Sequence, residues 1–258
     1  MRLISHPDYI QCSFGPELDG KSEAFNDKLD IFYAKTEDLK PRIPELMKYV
    51  SGNEKLRAEK FYFDNDRETY ITCHAALRII LAQRLNTDPL EIWYKIGINK
   101  KPGIAGDAIY FNLTHTKEAF AFAVSSNYYV GIDLEDLNQD LEIESVAESF
   151  FSIKECEFIF KSNTEAKNRF FLLWTRKEAL LKALGTGIIN NLNEVEIFDR
   201  KNYLERKSFD NMISDSAANK HFIYSKRWLN YYLSIAIPVK ASIGFIQLTS
   251  ENISSYLF

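Results

Sequence analysis

Residues 131–135 read GIDLE, and residues 174–182 read WTRKEALLK. As a strand, the first stretch sends Asp133 and Glu135 to one face and Ile132 and Leu134 to the other, because side chains alternate with a period of two. As a helix, the second stacks Trp174, Glu178 and Lys182 at i, i+4 and i+8, with Lys177 beside them. Paired carboxylates in an otherwise apolar strand are costly to bury without a partner, and a hard divalent cation is one such partner. Carboxylates with ammonium groups beside them suit magnesium and a polyphosphate. Taken singly, each stretch also has a plainer reading: a salt-bridged strand end for GIDLE, and a surface pair for Glu178 and Lys182.

A chain of 258 residues, 46% of them apolar, can bury one large core or two small ones. Its 19 Phe and 14 Tyr point to a core rich in large rings. The net charge of −4 argues against a nucleic-acid binder. An anionic ligand therefore has to be held by local clusters: Lys55, Arg57 and Lys60; Lys100 and Lys101; or Arg176, Lys177 and Lys182. Each cluster alone reads as solvated surface. Cys12, Cys73 and Cys156 are far apart and form no CxxC, so reduced thiols are expected. The opening MRLISHPDYI lacks an apolar h-region, and no apolar run approaches the ~20 residues that span a bilayer. A cytoplasmic protein without membrane contact is expected.

Residues 1–28 read as an irregular N-terminal arm. Leu29–Ala34 reads as a strand, and Pro41 and Pro44 start a short helix through Val50. A long helix follows, with Asp64 or Asp66 as its cap and an apolar stripe of Tyr70, His74, Leu77, Leu81 and Leu85. Asn86 and Asp88-Pro89 end it. Strands are predicted at Glu91–Ile96, Ala108–Leu113, Ala119–Ser125 and Tyr128–Leu134, with Ser126-Asn127 as a hairpin turn. Helices are predicted at Glu142–Phe151, Ser152–Phe160 and Thr164–Leu184, the last stopped by Gly185. Strands follow at Glu194–Phe198, His221–Trp228, Tyr231–Ile237 and Ile243–Leu248, and 208–220 reads as a loop. The predicted class is α+β: two similar units, 29–130 and 131–258, each a long helix followed by antiparallel strands.

The order of motifs is distinctive: KKPGI at 100–104, FNLTH at 111–115, GIDLE at 131–135, FFSIKE at 150–155 and WTRKEALLK at 174–182. Together they resemble the 4′-phosphopantetheinyl transferases of the larger, surfactin-synthetase-activating (Sfp) type, over roughly residues 29–250. The resemblance implies two pseudo-twofold-related subdomains with the active site at their interface. It implies transfer of phosphopantetheine from coenzyme A to a serine of an acyl or peptidyl carrier protein. By similarity Asp133, Glu135 and Glu178 hold Mg²⁺ (or Mn²⁺), and Asp133 also borders the coenzyme.

His115 matches the histidine of the family's FNxSH motif, which contacts a phosphate of coenzyme A, and Thr114 stands beside it. From the residues alone, the plainer reading of His115 is preferred: a hydrogen-bonded histidine at a strand end. Lys101-Pro102 corresponds to a GKP loop, with Lys100 where the family has Gly. Arg78 matches a family arginine that is either structural or ligand-facing. The basic cluster that binds the 3′-phosphate aligns to Glu54 and Arg57, so only Arg57 keeps its charge; Thr69 and Tyr70 replace an arginine and a threonine.

In the mechanism implied, the carrier serine attacks the β-phosphate and adenosine 3′,5′-bisphosphate leaves, helped by Lys182 and His115. Glu155 of FFSIKE and Glu178 are the candidate bases, and Lys177 orients Glu178 or meets phosphate. For Glu155 a helix-start role is the plain alternative. Phe150, Phe151, Ile153 and Lys154 mark the expected carrier-docking side, and a monomer is expected. Two other readings stay open: a different Mg²⁺-dependent phosphotransferase, and a module that binds carrier or coenzyme without turnover.

Overall fold

The computed structural model describes residues 28–97, 99–187, 192–197 and 221–256. The chain divides into two units, one formed by Leu29–Asn127 with Ile243–Phe258 and the other by Tyr128–Ser242. The expected arm and the 208–220 loop lie outside the described residues.

The first unit opens with strand β1 (Lys28–Lys35). Short turns follow: α1 (Thr36–Leu39), α2 (Ile43–Leu46) and α3 (Gly52–Ala58), separated by 3₁₀ segments. The single short helix expected from Pro41 and Pro44 through Val50 is broken because the two prolines each restart the chain with a missing N–H donor. The long helix α4 (Asp64–Leu85) ends at Asn86, which takes a left-handed φ of 52° as predicted for a stop residue. Its N-cap is Phe63 rather than an aspartate; Asp64 and Asp66 lie in the first turn, where their charge favours the helix dipole.

A capped 3₁₀ turn at Pro89–Glu91 replaces the start of the strand expected at Glu91, because the Asp88 side chain accepts from the Leu90 amide. Only Tyr94–Ile96 (β2) is extended, paired with Pro102–Ile104 (β3). β4 (Tyr110–His115) and β5 (Ala119–Ser125) complete the unit with β9 (Ser242–Gln247), in the sheet order β4-β5-β1-β9. β9 comes last in the chain yet joins this sheet beside β1. All of β5 is buried, which explains its unbroken AFAFAV run. Phe32, Phe120 and Phe122 meet Leu77, Ile80 and Leu81 of α4 in one apolar core.

The second unit has β6 (Gly131–Asp136), β7 (Phe222–Trp228) and β8 (Tyr231–Ile237), antiparallel in the order β6-β8-β7. Ser126-Asn127 is therefore not a hairpin turn: β5 and β6 belong to different sheets. Leu229-Asn230 does turn β7 into β8, with Leu229 at φ 52°. The helices are α5 (Ile143–Phe150), α6 (Ile153–Ile159) and α7 (Asn163–Leu184), the last closed by Gly185 at φ 71°. Of the strand expected at 194–198, the described part is not a strand: Glu194 ends a 3₁₀ turn, Leu192–Glu194, and 195–197 are irregular, while 198 lies outside the described residues. Val195 and Ile197 are buried there, but the Ile197 amide bonds to a side chain rather than to a strand. Among the described residues no helix is long and apolar enough to cross a membrane.

Candidate active site

Gly131 sets the closeness of helix and sheet in the second unit. A Cβ there would overlap the Ala179 carbonyl oxygen and the Ala183 amide nitrogen, so only glycine lets α7 lie this tightly on β6. The period of two then puts Asp133 and Glu135 on the same helix-facing side as Gly131. The Lys182 ammonium stands 2.6 Å from Asp133 Oδ1. About two turns back along α7, the Trp174 indole donates to Glu135 Oε1 at 3.2 Å, and Gln139 donates to Glu135 Oε2 at 2.7 Å. Beneath Asp133 runs a hydroxyl chain. Ser234, its partner in β8, meets Thr175 of α7 at 2.8 Å and Ser225 at 2.9 Å, and Ser225 accepts from Arg176.

Glu178 lies on α7 between Trp174 and Lys182, and its Oε1 is buried with no hydrogen-bond partner among the described residues. Burial, and then the Asp133 charge, push its carboxyl up to about 7 against the opposing pull of Lys182. Glu135 is raised by burial and then by Asp133. The Asp133 charge thus raises both Glu135 and Glu178. An all-oxygen donor set with a buried orphan oxygen fits a hard cation. Among the described residues, no three acidic, His or Cys side chains are already gathered tightly enough to hold a metal alone. Magnesium chemistry, which reserves positions for phosphate and water, does not demand that.

Glu155 and Lys177 sit elsewhere. Glu155 is the third residue of α6 and forms a capping box with Ser152. Its Oε2 lies 2.7 Å from Lys177 Nζ, and both side chains are 0% exposed. Lys177 therefore points to the α5–α6 side of α7. Burial pushes its ammonium down, with Glu155 opposing. Phe151 is core at 3% exposed, whereas Ile153 is 81% exposed beside Lys154.

The remaining expected contacts belong to the first unit. Arg57, on α3, is exposed and lies over the Tyr70 ring at 5.6 Å. His115 ends β4, exposed, after the buried Thr114. Lys101 precedes Pro102 at the start of β3, and burial lowers its ammonium to about 8. Lys100 takes φ 59°, the conformation a glycine would adopt there at no cost, so the loop keeps a glycine-type turn despite its lysine. Glu54 faces inward: it closes a capping box with Ser51, pairs with Arg78 at 2.7 Å and meets His74 at 3.2 Å. Arg78 is buried and also donates to the Pro89 and Ile92 carbonyls, which makes it structural. Sequence reasoning overlooked Gln139, whose position in the turn after β6 has no signature, and the Ser225–Ser234–Thr175 chain, which needs the sheet register to be seen.

The acidic strand face of β6 is thus closed by a helix that brings a carboxylate, an indole and an ammonium. The sequence profile of the 4′-phosphopantetheinyl transferase superfamily matches residues 129–233, which contain β6 and α7. The 4′-phosphopantetheinyl transferase HetI of Nostoc sp. is 33% identical over 178 residues, 67% of this chain and 74% of the relative. A putative 4′-phosphopantetheinyl transferase of Synechocystis sp. is 28% identical over 73% of this chain and 83% of its own length. The 4′-phosphopantetheinyl transferase psf-1 of Bacillus pumilus is 30% identical over 59% and 65%, respectively. The chain belongs to the 4′-phosphopantetheinyl transferase superfamily.

Proposed function

We propose that this protein transfers the 4′-phosphopantetheine group of coenzyme A to a serine of an acyl or peptidyl carrier protein, converting apo to holo form and releasing adenosine 3′,5′-bisphosphate. The observation that carries this is the Lys182 ammonium closing on Asp133 at 2.6 Å across β6 and α7, with Glu135 and Glu178 both raised by the Asp133 charge, in a chain of this family.

Asp133, Glu135 and Glu178 are the residues that would hold Mg²⁺. Bound there, the ion supplies charge neutralisation to the diphosphate. Phosphoryl transfer needs chiefly positioning and offset of developing charge. Lys182 and His115 serve the leaving phosphate, and Arg57, Lys101, Pro102 and Thr114 hold the coenzyme. Proton acceptance from the serine goes to Glu178, through a water. Of the two candidate carboxylates only Glu178 is open to this role, because both oxygens of Glu155 are already bonded and its side chain is wholly buried. The carrier docks beside Ile153 and Lys154.

The test is mass spectrometry of apo carrier proteins of several classes after incubation with coenzyme A and Mg²⁺. A phosphopantetheine adduct on the carrier serine is expected. Coenzyme A binding without adduct on any carrier would leave a binding module instead, a reading kept in view by the inward-facing Glu54.

A further inference from the structure

We infer that Glu155 and Lys177 form a positioning pair that fixes α7 against the 192–197 segment and so holds the neighbouring Glu178 toward β6; this rests on the function proposed above. The pair is completely satisfied. Lys177 Nζ donates to Glu155 Oε2 at 2.7 Å, to the Phe150 carbonyl at 2.8 Å and to the Leu192 carbonyl at 2.9 Å, so every ammonium proton has an acceptor. Its charge also lies 4.6 Å from the centre of the Phe151 ring. Glu155 accepts from the Ser152 amide at 2.9 Å through Oε2 and from the Ile197 amide at 3.0 Å through Oε1.

These contacts join four pieces of chain: the end of α5, the start of α6, the middle of α7 and the 192–197 segment. None of them is a strand or helix bond, so the side-chain pair itself does the joining. An ion pair taken wholly out of water is poor evidence for stability alone, because apolar residues of similar size would serve as well. What it does impose is direction. An ammonium with its acceptors on one side fixes the rotation of α7 about its axis. The next residue, roughly 100° further round the helix, is Glu178. Neither member of the pair reaches solvent, so neither can touch substrate.

The experiment compares wild type, Glu155→Gln, Lys177→Met and the double variant Glu155→Leu/Lys177→Met. Carrier modification is followed at temperatures well below each melting transition, with hydrogen exchange of the Ile197 amide followed in parallel. We expect kcat to fall roughly 10–100-fold in each single variant, as for other residues that orient reacting groups. The KM for coenzyme A and the shape of the pH–rate profile should stay as in wild type, the Ile197 amide should lose protection, and the uncharged double variant should recover most of the loss. Wild-type kcat in both single variants below melting would reduce the pair to a fold support and overturn the inference. So would a Glu155→Gln variant that loses the acidic limb of the profile with no recovery in the double, because Glu155 would then be accepting the proton. Should a single variant fail to fold, the double variant decides by the same readouts. If wild type itself modifies no carrier, the proposed function falls. Unchanged Ile197 protection in the variants would still overturn the pair's structural role independently.

Discussion

Gly131 of β6 and Ala179 of α7 touch backbone to backbone: no Cβ fits between them, and Ala183 Cα would stand only 2.9 Å from one. The distance from Asp133 and Glu135 to the helix that carries Glu178 and Lys182 is set by that missing side chain. Because the obstructing atoms are main chain, no rotamer change relieves the clash. Gly131→Ala is expected to cost at least about 3 kcal/mol, the upper end for overpacking. It should also lower carrier modification even where folded protein remains. Urea denaturation with an activity assay on the folded fraction checks both.

Removing Glu178 tests the cation site. Glu178→Ala is expected to reduce carrier modification by at least ~100-fold, about 2.7 kcal/mol of lost transition-state stabilisation. Chelation of divalent ions should abolish turnover in wild type, and added Mg²⁺ should restore it. Substantial turnover by Glu178→Ala under saturating Mg²⁺ would remove it from the site.

Arg78 holds α4 to the turn before β2 through Glu54 and the Pro89 and Ile92 carbonyls. Lysine cannot reproduce that fork of donors. Arg78→Lys is expected to destabilise by about 3 kcal/mol, because Glu54 would keep its buried charge with a poorer partner. The binding of coenzyme A by the remaining folded protein should be unchanged, which equilibrium dialysis can measure.

Acid stability should report Glu54. Burial alone would raise its carboxyl, but hydrogen bonds from His74, Ser51 and Arg78 outweigh burial and bring it down from 4.5 to about 2. A depressed carboxyl contributes stability that is complete above its unfolded value and is lost as pH falls through the folded one. The loss should therefore run from about pH 4.5 down to about 2, on the order of 2–3 kcal/mol. Unfolding midpoints measured across that range should show the slope in wild type and a flatter line in Glu54→Gln.

Lys100 occupies a left-handed position where a β-carbon is strained. Lys100→Gly is expected to leave the β2–β3 turn in place and to raise stability by about 0.5–1 kcal/mol. A lower melting temperature for this variant would show that the lysine side chain contributes more than its backbone strain costs.

The sequence by itself determined the elements whose signals are local. Alternation gave β6 its acidic face, four-residue spacing gave α7 its Trp174, Glu178 and Lys182 edge, and Asn86 and Gly185 marked two helix ends through the left-handed backbone they tolerate. Tertiary structure decided everything that depends on partners distant in the chain. It sent β9 back beside β1, separated β5 from β6 despite a good turn sequence between them, and paired Glu155 with Lys177 out of solvent. Periodicity reports which side of an element is apolar, whereas register and charge pairing are settled only when elements pack. A buried carboxylate that must find its donors then takes whichever neighbours the packing supplies.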